Sequence, residues 1–108
     1  MYPSRGNKYG ARKIEVDGEK FDSAKEYRRW CELKILERAG VITELKRQVS
    51  FELIPKQKGE RACTYVADFT YYQDGEYIVE DTKGLKTDVY RIKKKLMLWV
   101  HNIRIKES

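Results

Sequence analysis

The sequence predicts an α+β domain built in the order helix, three strands, helix, strand. Three observations carry it: two turn dipeptides that each join β-rich runs, two capped segments with apolar residues at helical spacing, and a length of 108 residues. That length is enough for one core and leaves no room for a separate module that reads nucleic acid. Hydrophobic residues make up 41% of the chain, which supports a globular fold despite 37% charged residues.

Residues 1–13 combine Gly, Ser and Asn with Arg5, Lys8, Arg12 and Lys13 and contain no acid, so they read as a basic flexible arm ahead of a single domain over 14–108. Ile14 to Phe21 form a small hairpin turning at Asp17-Gly18, a strong two-residue turn signal. Ser23 opens a helix, and Glu26 three residues on completes a capping box. Ala24, Tyr27, Cys31 and Ile35 recur at helical spacing and are the expected inward stripe; Gly40 suits the stop. Val49 to Ile54 alternates as a strand and halts at Pro55, followed by a polar loop over 56–61. Tyr65 to Tyr72 and Tyr77 to Lys83 are strands around Asp74-Gly75. Thr87 caps a second helix with Val89, Ile92, Leu96 and Val100 as its expected core stripe, and Ile103 to Ile105 closes as a short strand.

Composition narrows the function. No apolar run is long enough to span a bilayer, and the N-terminus has no apolar stretch behind its charges, so a soluble cytoplasmic protein is expected. Cys31 and Cys63 match no zinc or redox spacing and read as free thiols. A single histidine, His101, is too few for a histidine-built metal site and is expected to meet the carbonyls ending its helix. The tyrosines and tryptophans are expected mostly as core or sheet cover. Lys and Arg number 23 against 17 acids. The excess sits in the arm and in residues 87–108, where Arg91, Lys93, Lys94, Lys95, Arg104 and Lys106 face only Asp88 and Glu107. Such blocks attract phosphate polyanions, although a solvated basic surface looks the same.

The second hairpin carries the chemistry. With Asp74 and Gly75 as the turn, Gln73 faces Glu76, and counting outward along both strands sets Asp68 opposite Asp81. Strict alternation then puts Asp68, Asp81 and Lys83 on one face and Glu80 on the other. Two carboxylates facing each other across strands repel and call for a cation, and hard oxygen donors suit Mg²⁺ or Mn²⁺. Lys83 stands within reach to position or activate a water.

Asp68, a turn, then Asp81-Thr82-Lys83 resembles the PD-(D/E)XK nuclease signature. Phe21-Asp22-Ser23-Ala24-Lys25-Glu26-Tyr27 and Glu80-Asp81-Thr82-Lys83-Gly84, followed by Thr87 to Lys95, resemble a family of small phage proteins assigned to that superfamily. The likeness runs from about Lys8 to Ile105, with Ala67 where the signature has proline. It implies a restriction-endonuclease-like αβββαβ core with a mixed sheet between two helices. It also implies a Mg²⁺-dependent endonuclease acting on DNA, with Asp68, Asp81 and an acid of the first helix, Glu26, as metal ligands and Lys83 as the catalytic base-side cation. Glu26 stays open between helix cap and ligand. In the superfamily a basic residue of the second helix lies near the scissile phosphate, which here selects Arg91, Lys95 or Lys94, with Lys8, Arg12 and Lys13 of the arm on the backbone. Small size and the resemblance to phage resolvases together imply a homodimer on branched DNA. The rival expectations are a nucleic-acid-binding protein without catalysis and a phage adaptor or inhibitor.

Overall fold

A computed structural model describes residues 13–82 and 86–108, so Lys8, Arg12 and Lys83 lie outside the described residues. Two sheets are present. β1 (Ile14–Val16) and β2 (Glu19–Phe21) form a hairpin whose turn residues Asp17 and Gly18 both have positive φ, the backbone of the turn that matches strand twist. α1 (Ala24–Arg38) follows, then β3 (Thr43–Ile54), β4 (Cys63–Gln73), β5 (Glu76–Asp81), α2 (Asp88–His101) and β6 (Lys106–Glu107). The strands from β3 onward make one sheet in the order β3-β4-β5-β6, antiparallel except for the parallel pair β5 and β6, which α2 connects. This is the expected mixed sheet flanked by two helices. No helix among the described residues is long and apolar enough to cross a membrane.

Local signals act where the sequence places them. Ser23 Oγ accepts the Glu26 N–H at 3.1 Å and Thr87 Oγ1 accepts the Tyr90 N–H at 3.1 Å, each meeting one donor that a helix start leaves unpaired. Asp74 and Gly75 again have positive φ, and the pairs run from Gln73↔Glu76 to Phe69↔Glu80 without slippage. The strand ends differ from expectation: β3 begins at Thr43, six residues early, and β6 lies at Lys106–Glu107, not at 103–105.

Both helices turn faces other than the expected ones toward the sheet. In α1 the inward residues are Glu26, Arg29, Trp30 and Leu33, while Ile35 is exposed. Leu33 packs with Ile42, Phe69 and Tyr71, and the Trp30 ring stacks on Phe69 at 6.0 Å. In α2 the buried residues are Tyr90 and Met97, packed with Leu53, Tyr65, Ala67, Val79 and Ile105; of the expected stripe Leu96 packs against this core, whereas Val89, Ile92 and Val100 face solvent. In α1 the inward face is shared between apolar Trp30 and Leu33 and polar Glu26 and Arg29, so apolar spacing alone does not mark its core side. His101 likewise meets the Glu52 carbonyl of β3 at 2.7 Å and the edge of Phe51, not its own helix end.

One irregularity positions the site. Ala67 and Phe69 share one alternation on β4, yet Phe69 belongs to the α1-side core and Ala67 to the α2-side core. On β3 the same happens between Arg47, which lies over Phe21 and Trp30, and Phe51, which meets His101. Between the pairs Arg47↔Phe69 and Val49↔Ala67 stands Gln48, with φ 53°. A left-handed residue inside a strand breaks the pleat, and Asp68 sits at that break.

Candidate active site

Asp68 is nearly buried, and its Oδ2 accepts two bonds at 2.9 Å, from the Thr82 N–H and the Thr82 hydroxyl. The ladder between β4 and β5 ends at Phe69↔Glu80, and the Asp68 side chain bridges the next step by capping the end of β5. No basic side chain among the described residues pairs with Asp68.

Asp81 is fully buried and accepts the Tyr65 hydroxyl at 2.5 Å. Burial, then that hydrogen bond and the Asp81 charge, raise the Tyr65 pKa and keep the phenol a donor. Tyr90 of α2 feels both Asp81 and Asp68 and is raised in the same direction, burial being the main cause.

Glu80, one residue earlier, meets the opposite side. Its carboxylate is fully buried and accepts Arg29 Nε at 2.5 Å, Arg29 Nη2 at 3.1 Å and the Tyr71 hydroxyl at 2.5 Å. Burial alone would raise its pKa, but the Arg29 and Tyr71 bonds win and hold it below the ordinary value. The adjacent acids therefore differ in kind: Glu80 is neutralised by a fork of guanidinium donors and ties α1 to β5, while Asp81 faces the α2 side.

Glu26 is buried and bonds both at the helix start and across to β3. Its Oε1 accepts the Asp22 N–H at 2.9 Å, one residue beyond the donor a standard capping box uses, and its Oε2 accepts Gln48 Nε2 at 3.1 Å with Arg47 Nη2 at 3.5 Å. Burial first, then the charge of Asp68, push its pKa up. The Asp68 charge thus opposes the ionisation of Glu26. Arg47 joins the small hairpin to this corner: its guanidinium lies 3.9 Å from the Phe21 ring centroid and donates to the Lys20 carbonyl at 2.7 Å.

The donors are hard carboxylate oxygens, right in kind for Mg²⁺ or Mn²⁺. The charge of Asp68 reaches Glu26, Asp81 is held by Tyr65, and among the described residues no group of three His, Cys, Asp or Glu side chains stands ready as a metal cage. The donor chemistry fits such an ion; the coordination geometry is not preformed among these residues.

A family model described as "Protein of unknown function (DUF1064)" matches residues 6–106. The chain belongs to the DUF1064 family. No curated protein and no solved structure matches it. The DUF1064 match spans both helices, the sheet and all four candidate catalytic positions, and the α+β fold is consistent with the PD-(D/E)XK nuclease superfamily.

Basic residues expected on nucleic acid fall in different places. Lys13 lines a depression of about 500 Å³ with Lys20, Phe21, Asp22 and Gln48, beside the Glu26 corner. Arg91, Lys94 and Lys95 line a groove between α2 and the C-terminal strand region. Arg91 is paired with Asp88 and Lys94 with Glu107. Sequence reasoning missed Lys25 and Arg28, which with Arg29 and Thr82 line a third depression at the end of β5. It also missed Tyr65, Thr82 and Gln48, whose side chains orient the acids. The capping box that located Glu26 also placed Lys25 in the first turn; nothing in the sequence pattern marked Gln48.

Proposed function

We propose that this DUF1064 protein is a metal-dependent nuclease that hydrolyses phosphodiester bonds of DNA. The observation that supports it most is Asp68: a buried carboxylate whose donors among the described residues are a hydroxyl and a backbone amide, with a charge that disfavours ionisation of a second buried acid, Glu26. Two buried carboxylates that feel each other's charge favour a divalent cation, and Asp81 on the next strand is the third candidate ligand. A bound Mg²⁺ would lower the pKa of water and offset the charge gathering on the phosphate.

The chain's own residues prepare that chemistry. Thr82 fixes the Asp68 carboxylate through two bonds, Tyr65 fixes Asp81, and the fork of Arg29 on Glu80 holds the end of β5 against α1. Lys83, next after Thr82, supplies positive charge at the reacting phosphate. Arg91, Lys94, Lys95, Lys13 and the arm residues Lys8 and Arg12 bind backbone phosphates away from the cut. Residues 1–13 serve as a basic arm to the nuclease domain over 14–108. A homodimer acting on branched DNA completes the reading, because two identical sites then meet two strands by two-fold symmetry.

The test is cleavage of single-stranded, duplex, flap and four-way-junction DNA with Mg²⁺, with Mn²⁺ and with EDTA. Cleavage is expected with either metal, none with EDTA, none for Asp68→Asn, and slow cleavage with intact DNA binding for Lys83→Ala. Light scattering reads the stoichiometry on the junction. Metal-independent cutting, or an Asp68→Asn variant as active as the parent, removes the assignment.

A further inference from the structure

The outer side of α2 exposes several large apolar side chains. Val89, Ile92 and Trp99 are 61%, 57% and 86% exposed, with Val100 also open, and their spacing puts them along one side of the helix. Beside this stripe runs the groove of about 380 Å³ lined by Lys86, Arg91, Lys94, Lys95 and Arg104 over Tyr90, Leu98 and Ile105. Its one acid, Glu107, is already covered by the Tyr90 hydroxyl at 2.8 Å, Lys94 at 3.2 Å and Lys86 at 3.6 Å. Lys95 and Arg104 take part in no ion pair among the described residues.

Lys95 links the two features. It lines the groove and precedes Trp99 by four residues, so the two residues are neighbours on the helix surface. An indole so exposed gains nothing from water, and its surroundings decide what could cover it. Two copies of α2 laid together along the stripe would bring its flanking Lys93 and Lys95 toward one another, while the helix has one acid, Asp88, already paired. Like charges disfavour that pairing. A polyanion with an apolar, planar component meets both features at once. In a duplex the base faces are stacked away, and in a single strand they are free.

We propose that Trp99 and the adjoining groove form a binding site for an unpaired stretch of nucleic acid, with the backbone on Lys95 and Arg104 and a base stacked on the indole. The site deepens the nuclease reading by naming the part of the substrate the enzyme holds, a single-stranded segment next to the cut, but its binding is measurable without catalysis.

Binding of a labelled oligothymidylate of about 12 nucleotides is compared with binding of a duplex of the same length, in EDTA, with an oligouridylate as a further arm that identifies the sugar. Binding of the wild-type chain is expected to quench tryptophan emission. Trp99→Ala should weaken single-strand binding about tenfold, leave duplex binding unchanged and melt as the parent does, while Trp99→Phe restores most of the loss. Lys95→Gln and Arg104→Gln should each reduce the salt slope by about 0.7. Equal single-strand affinity of Trp99→Ala and the parent overturns the proposal, as does an equal loss toward single strand and duplex. A dimer that Trp99→Ala splits, with nucleic-acid affinity unchanged, also overturns it and gives the face to a second copy. Trp99-dependent binding without any metal-dependent cleavage keeps this site and removes only the nuclease assignment.

Discussion

Glu80 and Asp81 are chemically similar neighbours that the fold assigns to opposite sides, and removing one charge at a time separates their roles. In Glu80→Gln the fully buried group keeps one acceptor oxygen but presents an amide to the Arg29 donors, donor against donor. Breaking a buried ion pair from one side costs about 3–5 kcal/mol. Arg29 keeps part of its side chain in solvent and can be rehydrated, so we expect a cost below that range, about 2–3 kcal/mol. For a domain of this size that is a fall in Tm of roughly 10–20 °C. Asp81→Asn keeps an acceptor for the Tyr65 hydroxyl and should stay within about 1 kcal/mol of the parent. Urea denaturation followed by circular dichroism in EDTA measures both. Cleavage with Mg²⁺, well below either melting point, should then be retained by Glu80→Gln and lost by Asp81→Asn. A Glu80→Gln chain within about 0.5 kcal/mol of the parent would show that the Arg29 fork contributes little. An inactive Glu80→Gln beside an active Asp81→Asn would refute the assignment of faces.

Two further outcomes are expected. Glu26 and Glu80 should give opposite pH dependences of stability in EDTA. The pKa of Glu26 is raised in the fold, by burial and then by Asp68, so its ionised form costs stability that is recovered as pH falls through the raised value. The pKa of Glu80 is lowered by Arg29 and Tyr71 against burial, so its contribution is present above the ordinary carboxylate range and lost as pH falls through the lowered value. Denaturation of Glu26→Gln and Glu80→Gln from neutral to acid pH should show the parent gaining on the first and losing its advantage over the second; parallel curves would contradict both directions. Thr82→Val leaves Asp68 with the backbone donor alone and should weaken Mg²⁺-dependent cleavage about tenfold or more in a metal titration, with Thr82→Ser near the parent. Equal metal dependence in all three chains would deny Thr82 its orienting role.

What the sequence determined by itself is what closes within a few residues. The turns at Asp17-Gly18 and Asp74-Gly75 need positive φ at both positions, the Ser23 and Thr87 caps bond three residues ahead, and each is readable because donor and acceptor are near in the chain. From the second turn the register of β4 and β5 followed, and with it the separation of Glu80 from Asp81. Tertiary structure decided which face of each helix is inside. Ile35, Val89, Ile92 and Val100 obey helical spacing yet face solvent, because Glu26 and Arg29 find partners in Gln48, Arg47 and Glu80 far along the chain, and Tyr90 and Met97 fill the other side. It also decided that the pleat breaks at Gln48, setting Asp68 between the two cores, where strict alternation would have kept it on one face. Spacing records periodicity within one element, whereas burial of a charge depends on which group the fold sets opposite it.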